Sequence, residues 1–288
     1  MISIVGIGNG ASAIAEKFVN FPQYNVYVLN DKVEKSSGKK RKLKRFTSPE
    51  DYEENIPDLT KYFSKIDNHV QVFVMGSSYS SNYALGILQQ ISTKNVDVFY
   101  IQPDTTLLTG IPRLMERAAC GVLQEYARSG LFSSITIISN KNLEEALQRV
   151  PIKKFYDHLN SSIASTVHYL NYFLHNEPEI GVIAPPIDHA RIRSIAILET
   201  QNIEEKWLFE LDMPRQLCYY FCINKEKLET DGGLHKKIVD RLKQKPRNAF
   251  RNVSYAIYET EHGKDFGFVV AHTNAIQQQN TLDKLDQG

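Results

Sequence analysis

The sequence predicts an α/β fold: a Rossmann-like half on a parallel sheet, a long central helix, then a smaller α/β C-terminal domain. Two observations predict it. Short apolar runs alternate with helix-period segments from residue 2 to residue 138, which implies right-handed βαβ crossovers and a mostly parallel sheet. A long helical pattern then ends in prolines, and the strands beyond it are spaced differently, which marks a second unit.

Residues 2–7 read as a short buried strand punctuated by Gly6, Gly8 and Gly10, and residues 11–18 carry apolar positions at helical spacing. A second strand at 24–29 ends at Asn30-Asp31. Residues 32–50 are polar, basic and loop-like, with Ser36, Ser37 and Gly38 at a turn. Residues 57–66 fit an amphipathic helix. A third strand at 70–75 leads through a small-residue loop at 76–81 into a helix ending at Ile91, and a fourth strand covers 96–101. A helix near 113–128 and a fifth strand at 135–138 complete the first half. The long helix spans 153–174 until Pro178, Pro185 and Pro186 force a break; its Tyr169, Tyr172 and Phe173 are expected to pack in the core. Strands at 193–198, 217–223, 253–259 and 266–272, with a helix near 228–243, make the second domain. The chain thus divides into 1–150, a connecting helix at 151–176, a domain at 177–275 and a polar, fraying tail at 276–288.

With 288 residues, 42% of them hydrophobic and 23% charged, the chain can bury a substantial core. A net charge of +1 argues against nucleic-acid binding by the chain as a whole. Lys39, Lys40, Arg41, Lys42, Lys44 and Arg45 are a local exception. Such a run predicts a solvated, mobile loop over 36–45, with phosphate or nucleic-acid contact as the other reading. Three cysteines lack a CxxC pair and eight histidines lack HxxxH or HExxH spacing. That predicts no metal site and fits a reducing cytoplasm. No apolar run suggests a signal peptide or a membrane span.

Two motifs carry chemistry. Gly6-Ile7-Gly8-Asn9-Gly10-Ala11 lies between strand and helix. Glycines there let the backbone approach an anion, and the helix start offers free N–H groups. With Asp31 ending the next strand, the loop also satisfies the dinucleotide fingerprint G-x-G-x-x-A. The alternative is a tight turn without ligand. Gly76, Ser77, Ser78, Tyr79, Ser80, Ser81 and Asn82 form a second strand-to-helix loop, whose N–H and hydroxyl donors suit phosphates; the alternative is a serine-rich cap. Asn140 and Asn160 could read a purine edge, since an amide both donates and accepts, or could be satisfied polar residues.

In this order the motifs resemble the tubulin/FtsZ family over about residues 1–200. The family's glycine-rich first loop falls on Gly6 to Ala11. Its signature GGGTGTG loop falls on the Gly76 to Asn82 stretch. Its F-E-G-x-x-R segment falls on Leu108-Thr109-Gly110-Ile111-Pro112-Arg113, and I-x-N-D-K-L on Ile138 to Leu143. Its base-contacting pair on the central helix falls on Asn160 and Ser161. The chain departs from the pattern in four places. The signature loop keeps only Gly76, and Tyr79 stands in it; Thr109 replaces the glutamate. The basic run 36–45 replaces a further phosphate loop. Of the catalytic N-x-D-x-x-D only Asp188 has a counterpart, after a one-residue shift.

The resemblance implies a guanine-nucleotide-binding subunit that assembles head to tail with copies of itself in the cytoplasm. The eroded motifs imply weak or lost GTP hydrolysis. The implied cofactor is GTP or GDP, with Mg²⁺ at the phosphates. The implied contacts are Gly6, Gly8, Asn9, Gly10, Asp31, Gly76, Ser77, Ser78, Ser80, Ser81, Thr109, Arg113, Asn140 and Asn160, with Asp188 as the catalytic group. Two other readings stay open. An NAD(P)-dependent oxidoreductase rests on G-x-G-x-x-A and Asp31, without a catalytic constellation in 177–288. A nucleotide-free structural module of the same fold rests on the missing glycines and carboxylates.

Overall fold

The structure, a computed structural model, describes residues 1–36, 38–245 and 251–278. The polar-tail expectation therefore falls mostly outside the described residues, as does Ser37. The strands are β1 (Ile2–Ile7), β2 (Tyr24–Asn30), β3 (Lys40–Lys42), β4 (His69–Met75), β5 (Asn95–Gln102), β6 (Ser134–Ser139), β7 (Ile180–Val182), β8 (Ile192–Glu199), β9 (Glu204–Trp207), β10 (Gln216–Asn224), β11 (Asn252–Thr260) and β12 (Phe266–Thr273). The helices are α1 (Asn9–Ala15), α2 (Pro49–Glu54), α3 (Ala84–Gln90), α4 (Gly110–Ser129), α5 (Asn140–Leu147), α6 (Phe155–His175), α7 (Lys225–Thr230) and α8 (Leu234–Gln244).

Among the described residues all twelve strands join one sheet, ordered β3-β2-β1-β4-β5-β6-β8-β12-β10-β11-β7, with β9 also pairing β8. The six strands β1 to β6 are mutually parallel. Sheet pairing crosses from the first half to the second where Ile135 meets Ile192 and Ile137 meets Ser194, again in parallel. β12 then runs antiparallel between β8 and β10.

Helices cover both faces of the parallel half, which is why its strands read as nearly unbroken apolar runs. Successive residues alternate between the two cores. Ile2 and Ile4 pack with Phe73, Phe99 and the α1 and α6 face, whereas Val5 and Ile7 pack with Val72, Val98 and the α4 face. α6 spans both halves. Its buried Asn171 exchanges two hydrogen bonds with Gln71, at 2.7 and 2.8 Å. Tyr258 donates to the Phe173 carbonyl at 3.3 Å.

Four expectations need correction. Residues 32–50 are not an open loop: β3 lies within them, α2 begins at Pro49, and Leu43 is buried. Residues 57–66 form turns, not a helix. Asp58 accepts from Thr60 N at 3.0 Å, and such local bonds compete with helix. The helix near 228–243 is two, α7 and α8, separated by Asp231, Gly232 and Gly233. Tyr172 stays 45% exposed, while Phe173 is buried.

Candidate functional site

Strands β1, β2, β4, β5 and β6 end at one edge of the sheet, where ligands of parallel sheets gather. The chain brings most of the expected site residues to this carboxyl edge. Gly8, Asn9 and Gly10 follow β1, and Asp31 follows β2. Gly76, Ser77, Ser78, Ser80 and Ser81 follow β4. Thr109 and Arg113 stand at the start of α4 and Asn140 at the start of α5. Asn160 lies on α6, half-buried, in line with buried Ala164 and Val167.

The first loop is tightly built. A Cβ on Gly6 would lie 2.6 Å from the Ala11 carbonyl and 2.7 Å from Ser12 Cα, so α1 packs directly on the strand. Gly8 has φ +89°, the left-handed region that favours glycine. A Cβ there would lie 2.1 Å from Ser80 Oγ, so the two loops touch. A Cβ on Gly10 would meet Met75 Sδ at 2.5 Å. Asn9 Nδ2 donates to Asp31 Oδ1 at 2.7 Å, tying the ends of β1 and β2 together. Asn30 turns the chain beside them, accepting from Lys32 N at 3.0 Å and Val33 N at 2.9 Å.

The second loop turns through Ser77, a non-glycine residue held at φ +54°. The Ser78 and Ser80 hydroxyls lie 2.8 Å apart, and Ser81 Oγ donates to the Ser78 carbonyl at 2.5 Å. Tyr79 stacks on Tyr52 of α2 with ring centroids 6.2 Å apart. Below Gly76, Tyr100 donates to Glu116 Oε1 at 3.2 Å and Gln102 to the same oxygen at 3.1 Å. Burial pushes the Glu116 carboxyl up from its ordinary value, while the Gln102 and Tyr100 bonds oppose that.

One feature of the predicted cradle is corrected. The N–H groups of Gly8 and Gly76 are not free: they donate to Leu29 O at 2.7 Å and Ile101 O at 2.9 Å. Candidate donors at this edge include serine hydroxyls and the amides of Asn140 and Asn160, and the 76–81 loop carries no carboxylate. This donor set suits a nucleotide, with hydroxyls for phosphate oxygens and amides for a base edge.

Asp188 lies at the opposite edge. β8 runs parallel to β6, so residues 183–191 precede it at the amino edge, about 20 Å away along six residues of strand. Asp188 is exposed. Its segment is clamped by buried Gln216, which accepts from Ile187 N at 3.1 Å and donates to the Ala184 and Pro185 carbonyls, each at 3.0 Å. His272 is hydrogen-bonded to the Ala190 backbone, and its Nδ1 is buried without a partner. Burial, with Arg193 nearby, pushes its ring down to about 3.

Beside it Arg193 bridges Thr136 Oγ1 at 3.1 Å and Asp97 Oδ1 at 3.2 Å, and His69 Nε2 lies 3.0 Å from Asp97 Oδ2. Burial alone would raise the Asp97 carboxyl, yet Arg193, His69 and Ser134 hold it at about 2. Sequence reasoning missed this cluster. The available signal was a charge inside each of two apolar strand runs, since a buried charge must be paired.

No family model matches the chain, and no curated protein matches its sequence. Solved structures match almost all of it. CetZ from Methanosaeta thermophila strain DSM 6194 is 12% identical at a TM-score of 0.69, over 99% of this chain and 89% of that one. TubZ of Bacillus thuringiensis serovar israelensis, in GDP-form protofilaments, is 10% identical at a TM-score of 0.72, over 96% and 84%. An FtsZ dimer from M. jannaschii is 11% identical at a TM-score of 0.67, over 97% and 94%.

The chain has the tubulin/FtsZ fold. Identities this low establish the fold alone. Within this tubulin/FtsZ fold the serine loop stands at the carboxyl edge and the Asp188 segment at the amino edge. Among the described residues no helix is long and apolar enough to cross a membrane, and no group of three or more His, Cys, Asp or Glu side chains could hold a metal ion.

Proposed function

We propose that the chain is a divergent tubulin/FtsZ-like subunit that binds guanine nucleotide at the carboxyl edge and assembles head to tail into cytoplasmic filaments, with slow or absent GTP hydrolysis. The observation that carries the reading is the polarity of the molecule. The glycine and serine loops occupy one edge of the sheet and the Asp188 segment the other. Stacking one copy on the next brings unlike edges together, and repetition of that heterologous contact gives an open filament. The TubZ and FtsZ structures of the same fold are described as protofilaments and a dimer.

In this reading Gly8, Gly10, Ser77, Ser78 and Ser80 meet the phosphates, with Gly6, Gly76 and Ser81 shaping their loops. Asp31, Asn9, Thr109 and Arg113 border the site, and Asn140 and Asn160 hydrogen-bond the base. A bound Mg²⁺ would neutralise phosphate charge. Asp188 of one subunit orients water at the nucleotide of the next.

The test is the nucleotide retained through purification, released by denaturation and identified by chromatography, with sedimentation of the same sample at rising concentration. GDP or GTP in a pelleting protein is the expected result. Retained NAD(P), or a protein that never pellets, overturns the reading. A pelleting protein free of nucleotide leaves only the assembly half standing.

A further inference from the structure

We propose that the segment 279–288 docks along α4 toward its first turns, on a face made by Ile111, Leu114 and Arg117.

The chain is already fastened to α4 where that segment begins. Thr273 ends β12 opposite Ile192, which pairs with Ile135 near the start of β6, so β12 finishes at the amino edge. α4 runs the same way, from the carboxyl edge down to Ser129, just before β6. Gln277 meets it at Gln124, about 7 Å above that lower end. Its N–H donates to Gln124 Oε1 at 2.7 Å, and its carbonyl accepts from Gln124 Nε2 at 3.1 Å. Its side chain accepts from Asp212 N at 2.6 Å and donates to the Ala275 carbonyl at 2.7 Å. Gln277 is 6% exposed. From Thr273 to Gln277 the chain therefore climbs α4 and heads for the carboxyl edge.

The face ahead of it is apolar and exposed. Ile111 is 60% exposed and Leu114 67%. Arg117 is exposed and stands seven residues before Gln124, on the same side of the helix. Leu114 and Ile111 follow from it at spacings of three. From Gln124 up to Ile111 the helix rises about 20 Å. Ten residues of extended chain reach about 33 Å, so the segment is long enough.

Its chemistry matches that face. Residues 282–286 read Leu-Asp-Lys-Leu-Asp. Leu282 and Leu285 answer Leu114 and Ile111. Asp283 and Asp286 answer Arg117, and carboxylates beside the first turn of a helix also meet the positive end of its dipole. Docked there, the segment covers the apolar start of α4, at the edge that carries the candidate site. The contact needs no nucleotide and stands apart from the function proposed above.

Lys284 supplies the test, because it places a trypsin site inside the segment. The rate of cleavage after Lys284 is measured in the full chain and in a free peptide of residues 278–288. It is measured as well in Ile111→Ser/Leu114→Ser, in Arg117→Gln and in Leu174→Ser, which removes an equally exposed leucine from α6. The native chain should be cut at least about tenfold more slowly than the peptide, since cleavage follows the population of the open form. Both α4 variants should lose most of that protection, and Leu174→Ser should keep it. Circular dichroism establishes that each variant folds, and Arg117→Gln carries the test if the double substitution does not. Cleavage of the native chain at the peptide's rate overturns the proposal. So does protection that survives both α4 substitutions, which would place the segment elsewhere, or that is lost equally in Leu174→Ser. Protection that fades as the native chain is diluted would mean that a second copy covers the segment, and the proposal fails.

Discussion

Gly6 and Gly10 lie in one loop, but an added side chain meets different obstacles at each. At Gly6 the obstacle is backbone, Ala11 O and Ser12 Cα, which cannot yield without moving α1 off the sheet. At Gly10 it is the far end of Met75, a flexible thioether that can swing away. Gly6→Val should therefore be overpacked and lower the unfolding free energy read from urea denaturation by about 1–3 kcal/mol, and Gly10→Val far less. If both variants unfold at the same urea concentration, the close packing of α1 on β1 is wrong. His272 gives a second prediction at this scale. Folded, its ring stays neutral down to about 3; unfolded, it takes up a proton near 6.5. Between those values the unfolded state binds more protons, so this stabilising contribution is complete above pH 6.5 and fades as pH falls. Asp97, held at about 2 against an ordinary 3.8, gives way only below about pH 4. His272→Gln should thus flatten the stability profile between pH 6.5 and 4.5 by up to about 1.4 kcal/mol per pH unit. Parallel urea-denaturation profiles for the native chain and the variant would place the ring outside the buried cluster.

Among the elements, β3 shows how a strand can escape notice in sequence. Lys40, Arg41 and Lys42 offer no apolar alternation, and only the free outer edge of β2 makes them a strand. Charge on a short edge strand also guards against unwanted pairing. Limited trypsin digestion should consequently leave bonds after Arg41 and Lys42 protected in the native chain. Leu43→Ala, which empties a buried site at a cost of about 2–5 kcal/mol, should expose them. Rapid cleavage there in native protein would return the segment to a solvated loop. The central strands were legible because burial on both faces leaves continuous apolar runs, and α6 because Leu159, Ile163 and Val167 repeat at helical spacing. Residues 57–66 misled for the same reason. Leu59 and Phe63 are buried and four apart, as on a helix, yet Gln90 holds the turns by accepting from Leu59 N and donating to the Pro57 carbonyl. Of the candidate site, the two strand-to-helix loops were legible, from their glycines and serines. Its inner arrangement was not, because Ser80 over Gly8, Met75 over Gly10 and Gln216 across the Asp188 segment are meetings between residues far apart in the chain.

For the whole molecule the decisive quantity is the height of the sheet. The hydroxyls of the serine loop and the carboxylate of Asp188 stand at opposite edges, about 20 Å apart along β6. No side-chain movement within one subunit closes that distance. Any hydrolysis that uses Asp188 therefore requires two subunits end to end, and its rate per subunit must rise with protein concentration as contacts form. Even then it should be slow. Asp188 sits on a segment stiffened by Pro185 and Pro186 and clamped by Gln216. A positioned acid–base group is typically worth about 10²–10⁴ in rate, and the family's catalytic loop supplies more than one such carboxylate. Phosphate release from GTP should accordingly be weak, should climb with concentration in step with pelleting, and should fall to background in Asp188→Ala while that variant still pellets. Turnover that is independent of concentration, or that survives Asp188→Ala undiminished, would show that the water is oriented from within one subunit and that the opposite-edge arrangement has no part in the chemistry.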